Sequence, residues 1–510
     1  MLRALLLALA SFCAACASPV GHDGARPLPP RPNILFILSD DHAAHALSCY
    51  GSKVNATPEL DRLARGGLRF DRAFVTNSIC TPSRASLLTG QWSHLNGVPV
   101  FNRFDGTRDT VAKRLQAAGY HTGMIGKWHL GGVPTGFDVW DILPGQGVYV
   151  DPTFVSSAGR RVVKGHVTDV ITERGIEFLE GRPAGKPFFL MLHHKAPHRS
   201  WVPAERHRAQ WAGRVVPEPP TLFDDGSTRG SALRENRQTI ARDLNRFDLK
   251  LVPEAAFASD EDRRRWFASA PEEGEVVAGD GTALRGDALT RWKYQRYMQD
   301  DLACVQGVDE SVGRVLDWLD AHGLAEDTLV VYSSDNGFFL GDHGLYDKRF
   351  MYEESLRVPL IARWPAAIAP GTSTEELVLN LDLPETFLEL ARVPVPEEMQ
   401  GRSLAPFFRG AAPRDWRTSF YYRYYHDPGD HDTRAHYGLR TKTRKLVHYW
   451  TKGEWELFDL ERDPRELVNL AADPAHAGEL AELKRALYRA KSAVLDEEQF
   501  ATARLPYGAD

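Results

Sequence analysis

Cysteine is scarce in this chain of 510 residues: there are five, and two of them, Cys13 and Cys16, fall near the start. Without that opening segment only Cys49, Cys80 and Cys304 remain, and an odd count in a large exported domain argues against a disulfide framework. An excess of positive charge is also missing. The chain carries 62 Lys and Arg against 68 Asp and Glu, a formal net charge of -6. That leaves no electrostatic case for binding nucleic acid. No His- or Cys-rich stretch offers a zinc spacing that competes with the oxygen donors described below, and there are no internal repeats or low-complexity tracts. What remains, 43% hydrophobic and 25% charged residues, describes an ordinary globular protein. Its length fits one large α/β domain with an appendage, or two to three smaller domains.

The apolar run Ala4–Ala10, preceded by Arg3 and followed by small residues through Ala17, is too short to span a bilayer. It has the layout of an export signal, which places the mature protein in the periplasm or at the cell surface. Cys16 is a candidate for the lipid-modified cysteine of a bacterial lipoprotein, although Cys13 stands where an aliphatic residue is expected. Residues 1–20 are therefore read as the signal and 21–31, with "PLPPRP", as a linker.

The rest alternates between strand and helix patterns. Ile34–Leu38 in "NILFILSDD" is a continuous apolar run, as expected of a strand buried on both faces of a parallel sheet. Similar runs end in "GKWHLG", in "KAPH" and in "SSDNG". Between them "TPELDRLARGG", "DTVAKRLQAAG" and "VGRVLDWLDAHG" read as helices that stop at glycine. The alternation predicts an α/β fold with a large, mostly parallel sheet between helices, and ligands beyond the carboxyl ends of its strands. Residues 203–290, with "EDRRRWF", break the rhythm and read as a solvated insertion with short helices. The alternative is an insert whose cations select an acidic polymer. From residue 416 to 510, "SFYYRYY", "HYGLRTKTRKLVHYW" and "EWELFDL" predict three or four antiparallel strands, then a helix over 478–495, in a smaller C-terminal subdomain. The "YYRYYH" segment is expected to be a half-buried strand rather than a sugar-stacking surface.

Polar residues at the strand ends carry the chemistry. Asp40 and Asp41 end one strand, and Asp335 and Asn336 end another. Either pair alone could be a helix cap or a turn. Together they offer hard oxygen donors suited to Ca²⁺, or less well Mg²⁺, rather than Zn²⁺. Lys127 and His129, two apart on an extended segment, can face the same way, and His198 and Lys348 follow other strand ends. Several cations beside a metal are what a tetrahedral oxyanion needs. Pro82 suits the first turn of a helix, which puts Cys80 at a helix N-terminus that favours anions. A thiolate there is a plausible nucleophile, but soft sulfur beside a hard-oxygen metal site is a mismatch. An oxygen nucleophile fits better.

The stretch Cys80–Gly90, "CTPSRASLLTG", resembles the signature of the type I sulfatases, Cys-x-Pro-Ser-Arg followed after four residues by Thr-Gly. "PNILFILSDDH", "GKWHLG", "APH", "SDNG" with "GLYDK", and "WELFDLERDPRELVNL" follow that family's order, so the likeness covers roughly residues 32–470 and is weakest over 203–290. The resemblance implies an alkaline-phosphatase-like fold over 32–415 and a hydrolase that releases sulfate from a sulfated carbohydrate. It also implies a maturation enzyme that oxidises Cys80 to formylglycine. One Ca²⁺ would be held by residue 80 with Asp40, Asp41, Asp335 and Asn336. Lys127, His198 and Lys348 would hold the sulfate oxygens, with His198 or Lys348 protonating the leaving alcohol. A hydroxyl of the formylglycine hydrate would attack sulfur, His129 would help release sulfate, and Arg84 would steady residue 80. Around these motifs the chain looks most like bacterial glycan sulfatases and N-acetylglucosamine-6-sulfatases. Two other readings stand against this one. A phosphonate monoester or phosphodiester hydrolase of the same superfamily tends to have His in place of Asn336 and to lack the Lys-x-His pair. A non-catalytic surface glycan-binding protein would be free to lose ligands that are all present here.

Overall fold

The computed structural model describes residues 28–29, 31–253 and 256–497; the expected signal, Cys13 and Cys16, and most of the linker lie outside them. Among the described residues, no helix is long and apolar enough to cross a membrane.

Ten strands form the main sheet: β1 (Asn33–Asp40), β2 (Leu68–Phe70), β3 (His121–Lys127), β4 (Val139–Leu143), β5 (Thr153–Ser156), β6 (Gly159–Val162), β7 (Phe188–Pro197), β8 (Thr328–Ser334), β9 (Leu360–Arg363) and β10 (Thr372–Thr374). Their spatial order is β10-β2-β9-β8-β1-β7-β3-β4-β5-β6. The central five, β8-β1-β7-β3-β4, are parallel, and antiparallel pairings flank them on both sides. The expected mixed, mostly parallel sheet is therefore observed.

Period-two alternation explains why the central strands read as unbroken apolar runs. Leu35, Ile37, Leu190, Leu192, Val330 and Tyr332 enter one core, packed with helices α1 (Pro58–Arg65), α4 (Val167–Glu180) and the long α5 (Gly286–Ala321). Ile34, Phe36, Leu38, Phe189, Met191 and Val331 enter the opposite core, packed with α2 (Cys80–Thr89), α3 (Val111–Ala117) and α6 (Asp382–Leu390). A polar substitution on either face would place an unsatisfied group in one of the two cores.

The C-terminal sheet is a four-stranded antiparallel meander, β11 (Ser419–Tyr424), β12 (His436–Thr441), β13 (Arg444–Tyr449) and β14 (Glu454–Asp459), followed by α7 (Ala477–Ala493). The strand expected to be half-buried is buried on both faces: Phe420, Tyr421, Tyr422 and Tyr424 all lie in or at one core. That core also takes Phe74, Ile79, Trp92 and Leu379 from the rest of the chain. The sheet thus packs on the main body through its aromatic strand, and these tyrosine rings are not a stacking surface.

Over 203–290 the structure has short helices at Glu205–Trp211, Ser231–Glu235 and Asp260–Ala268. The Asp260–Ala268 helix, which holds "EDRRRWF", buries no residue, as the solvated reading expects. The remainder is less detached than expected, because Trp211, Leu222, Leu244 and Leu249 join the core beside α5.

Candidate active site

Four adjacent strands end at one place. Asp40 closes β1 and Asp41 follows it; Lys127 closes β3, His198 follows β7, and Asp335 and Asn336 follow β8. In a parallel sheet these are all carboxyl ends, so strand order alone brings residues almost 300 positions apart into contact: the Asp41 N–H donates to Asp335 Oδ1 at 3.2 Å. Lys348, from the loop after the short strand Tyr346–Asp347, joins from the side and bonds Asp41 Oδ1.

Helix α2 brings Cys80 to the same point. Cys80 is the first helical residue, Pro82 lies in the first turn, and Gly90 ends the helix in the left-handed region at φ 64°. Only glycine fits there, since a Cβ would also come within 2.9 Å of Glu385 Oε1. All ten residues of α2 are buried, so the helix threads between the sheet and its surroundings rather than lying on the surface.

Arg84, one turn after Cys80, ties the elements together. Its Nε donates to Asp335 Oδ2 at 2.9 Å and its Nη1 to the carbonyl of Lys127 at 2.7 Å. The Cys80 Sγ lies 3.3 Å from Nδ1 of His129, and Thr81 Oγ1 donates to the His129 carbonyl at 2.9 Å. The expectation that Lys127 and His129 share an extended segment needs correction. The strand stops at Lys127, and His129 sits at φ 52° in the left-handed region. It is that reversal which turns the imidazole to Cys80 while Lys127 reaches Asp40 and, at 2.5 Å, Gln146 Oε1. Asp41 and Asp347 are left-handed too, at φ 68° and 73°. Such strained non-glycine backbone gathers where surrounding structure holds it for function.

Three buried oxygens here accept no hydrogen bond: Asp40 Oδ1, Asp41 Oδ2 and Asn336 Oδ1. Asn336 uses its amide nitrogen to donate to Asp41 Oδ1 at 2.7 Å, which leaves its carbonyl oxygen unmatched. Orphaned acceptors in a dry site cost free energy unless something charged meets them. A hard divalent cation is the partner that such oxygens fit. Donor atoms of Asp40, Asp41 and His198 also lie within 4.8 Å of one another. His198 Nδ1 donates to the Arg199 carbonyl at 2.6 Å, leaving Nε2 facing Asp41 Oδ2 at 3.8 Å.

Burial sets the protonation states. It raises the Asp41 carboxyl, an effect that the Lys348 ammonium opposes. Burial, then the Lys127 charge, pushes the His129 and His198 imidazoles well below the ordinary range, so both are neutral. Lys127 is lowered by burial as well. For Lys348 burial is outweighed by Asp41 and Asp347, and its ammonium is held charged. Burial pushes the Cys80 thiol up to about 11, so the helix N-terminus does not make it the reactive thiolate that its position suggested. An unmodified Cys80 is a poor nucleophile in this setting.

All the residues singled out in the sequence, Asp40, Asp41, Cys80, Arg84, Lys127, His129, His198, Asp335, Asn336 and Lys348, belong to this one cluster. Two neighbours were not singled out. Gln146 lies in a loop with no chemical signature. Lys195, in the run "HHKAPH", is buried, its ammonium 4.9 Å from the Tyr149 ring centre and pushed by burial down to about 8. The Tyr149 hydroxyl in turn donates to the His198 carbonyl at 2.6 Å.

Comparison with known proteins follows the same lines. The sulfatase family model matches residues 32–393, and a second model, N-sulphoglucosamine sulphohydrolase, C-terminal, matches 341–493. The chain is 44% identical to an N-acetylglucosamine-6-O-sulfatase of Bacteroides thetaiotaomicron, over 97% of this chain and 91% of that one. A solved structure, BT4656 in complex with its substrate D-glucosamine-2-N,6-O-disulfate, superposes with a TM-score of 0.87 at 43% identity, covering 93% of this chain and all of the other. The phosphonate monoester hydrolase of Agrobacterium radiobacter superposes at 0.69 with 21% identity, over 93% and 98% of the two chains, a likeness of fold alone.

Proposed function

The chain belongs to the sulfatase family of the alkaline-phosphatase-like superfamily, and from that premise we propose that it removes the 6-O-sulfate of a sulfated glucosamine, using residue 80 as formylglycine and one divalent metal. The observation that carries this reading is the meeting of Cys80 and His129 with three orphaned oxygens at the carboxyl ends of four strands. The substrate assignment is supported by the 44% identical relative and by the ligand of the solved neighbour.

Asp40, Asp41, Asp335 and Asn336, with residue 80, would hold the metal, Ca²⁺ by their all-oxygen chemistry. Metal and formylglycine together supply charge for the sulfate oxygens and an oxygen nucleophile in place of sulfur. This chain's own residues do the rest. Lys127, His198 and Lys348 approach from three different segments and would bear on the sulfate oxygens. His129 Nδ1, beside residue 80, is placed to take a proton from it, and a neutral imidazole can do so. Protonation of the departing sugar oxygen falls to Lys348 Nζ, whose ammonium is held charged, because the neutral His198 keeps its proton on Nδ1 and presents Nε2 only as an acceptor. Arg84 bonds Asp335 and the Lys127 backbone and so would steady residue 80 and its neighbourhood.

Export rests on the apolar run Ala4–Ala10, lipid anchoring on Cys16, and conversion of Cys80 on a separate maturation enzyme. Two measurements test the reading. Mass spectrometry of the tryptic peptide Ala73–Arg84 from native protein should find the aldehyde in place of the thiol. Sulfate release should then be seen from glucosamine 6-sulfate or N-acetylglucosamine 6-sulfate, and faster hydrolysis of an aryl phosphonate than of an aryl sulfate would overturn the assignment.

A further inference from the structure

A cleft of about 610 Å³ opens beside the catalytic cluster, on the far side of His129. Its inner end is Thr81 and His129, the two residues that meet at Cys80. Phe101, half-buried, packs its ring 5.9 Å from that of His129 and with Ile142 and Val155 gives the cleft an apolar wall. Two arginines from separate elements line the same space: Arg103, in the loop before α3, and Arg160, on the edge strand β6. Both are exposed, and among the described residues neither makes an ion pair. The acid on the lining, Asp430, faces Arg349 at 3.3 Å. The cleft therefore carries uncompensated positive charge next to a site built for one anion already.

The Arg103 side chain has a prepared place. It lies along Gly131 and Gly132, which follow His129 and are both left-handed, at φ 64° and 63°. A Cβ on Gly132 would come 2.9 Å from Arg103 Nη2, and one on Gly131 would come 3.0 Å from its Cγ. The loop that carries His129 thus leaves out side chains where the Arg103 side chain runs.

We propose that Arg103 and Arg160 form a second-anion subsite, which takes the N-sulfate of a glucosamine whose 6-O-sulfate is seated at residue 80. This rests on the function proposed above and adds to it the group that sets substrate preference. A guanidinium recognises a sulfate through paired, charge-assisted hydrogen bonds, which an uncharged N-acetyl group cannot return. An adjacent uronate carboxylate in a longer chain shares the same anion chemistry; the monosaccharide separates the two sources.

The test measures kcat/KM for D-glucosamine-2-N,6-O-disulfate, for N-acetylglucosamine 6-sulfate and for a 6-sulfated disaccharide bearing a uronate. It compares the converted wild type with Arg103→Ala, Arg160→Ala, the double variant and Arg103→Lys. The wild type should prefer the disulfate, and the double variant should lose roughly 10- to 100-fold on it, mainly through KM. Turnover of the N-acetyl sugar should stay near wild type, Arg103→Lys should keep part of the preference, and added salt should erode it. Equal losses on both monosaccharides, or none on the disulfate, would overturn the subsite, as would a loss seen only with the uronate disaccharide. Should the wild type release no 6-sulfate from any of the sugars, the proposed function falls and the subsite with it. Release that is indifferent to both arginines leaves the function standing and removes the subsite alone.

Discussion

Two regions of this molecule bury charge, and they do it in opposite ways. Under the C-terminal sheet, Lys445 is fully buried, with Glu466 Oε1 at 2.7 Å and Glu353 Oε1 at 3.0 Å. Arg440 adds a second pair to Glu353 at 3.1 Å, and Glu353 is driven well down despite its burial by Lys445 and Arg440. The charges there meet as ion pairs, although Lys445 Nζ and Glu466 Oε1 face each other without hydrogen-bond geometry and burial pushes the Glu466 carboxyl up to about 7. At the strand ends three acceptors, on Asp40, Asp41 and Asn336, are left without a hydrogen bond at the ends of two adjacent strands, and Asp41, His129 and Asp347 hold left-handed backbone. A closed ionic cluster explains itself as packing. An open one, strained and short of partners, is built around something that is not protein.

The comparison predicts that damage at the two places will be read by different instruments. Cys80→Ala should lower sulfate release by at least about 10⁴-fold while thermal unfolding stays near wild type, because the residue that acts is removed and the fold is not; retained sulfate release would make the two clusters alike. Lys445→Met should do the reverse. It leaves Glu466 without its cation and should cost about 3–5 kcal/mol in denaturant unfolding, with kcat of the folded fraction unchanged. A stability change under about 1 kcal/mol would mean that the closed cluster is not what holds that sheet.

A smaller effect sharpens the boundary between them. His343, buried between the insertion and the loop that carries Lys348, lies 3.0 Å from Asp224 and 3.7 Å from Glu354. Burial lowers its pKa, but the two carboxylates outweigh that and raise it from 6.5 to about 10. Native protein therefore keeps a proton that the unfolded chain has released between these values. The stabilisation is complete below pH 6.5 and fades as pH rises through about 10. Unfolding free energy should fall across that window by about 1–3 kcal/mol more in wild type than in His343→Gln. Parallel curves for the two proteins would contradict it.

Much of this is legible in the sequence. The buried strands show as apolar runs because both faces of the central sheet are covered, and the chemistry shows because polar residues interrupt those runs at their ends. The "CTPSRASLLTG" stretch carries its own geometry, a first-turn proline and a terminal glycine, so local pattern is enough to place the helix that delivers Cys80. Gln146 cannot be found this way, since a glutamine between two glycines has no pattern of its own. The aromatic strand β11 departs from its half-buried expectation for a related reason. Alternation tells which residues share a face, but what covers each face is decided by segments far away, here Phe74, Ile79 and Trp92.

The sequence by itself determined residue types and local periodicity: the fold class, the donors at the strand ends, and the cysteine that chemistry asks to become something else. Only the tertiary structure decided how those groups behave. Protonation depends on water being excluded, and burial overrides the helix terminus in pushing the Cys80 thiol up to about 11. Which oxygens are left without partners, and that Arg103 lies along the loop of His129, depend on contacts between segments that no local pattern encodes.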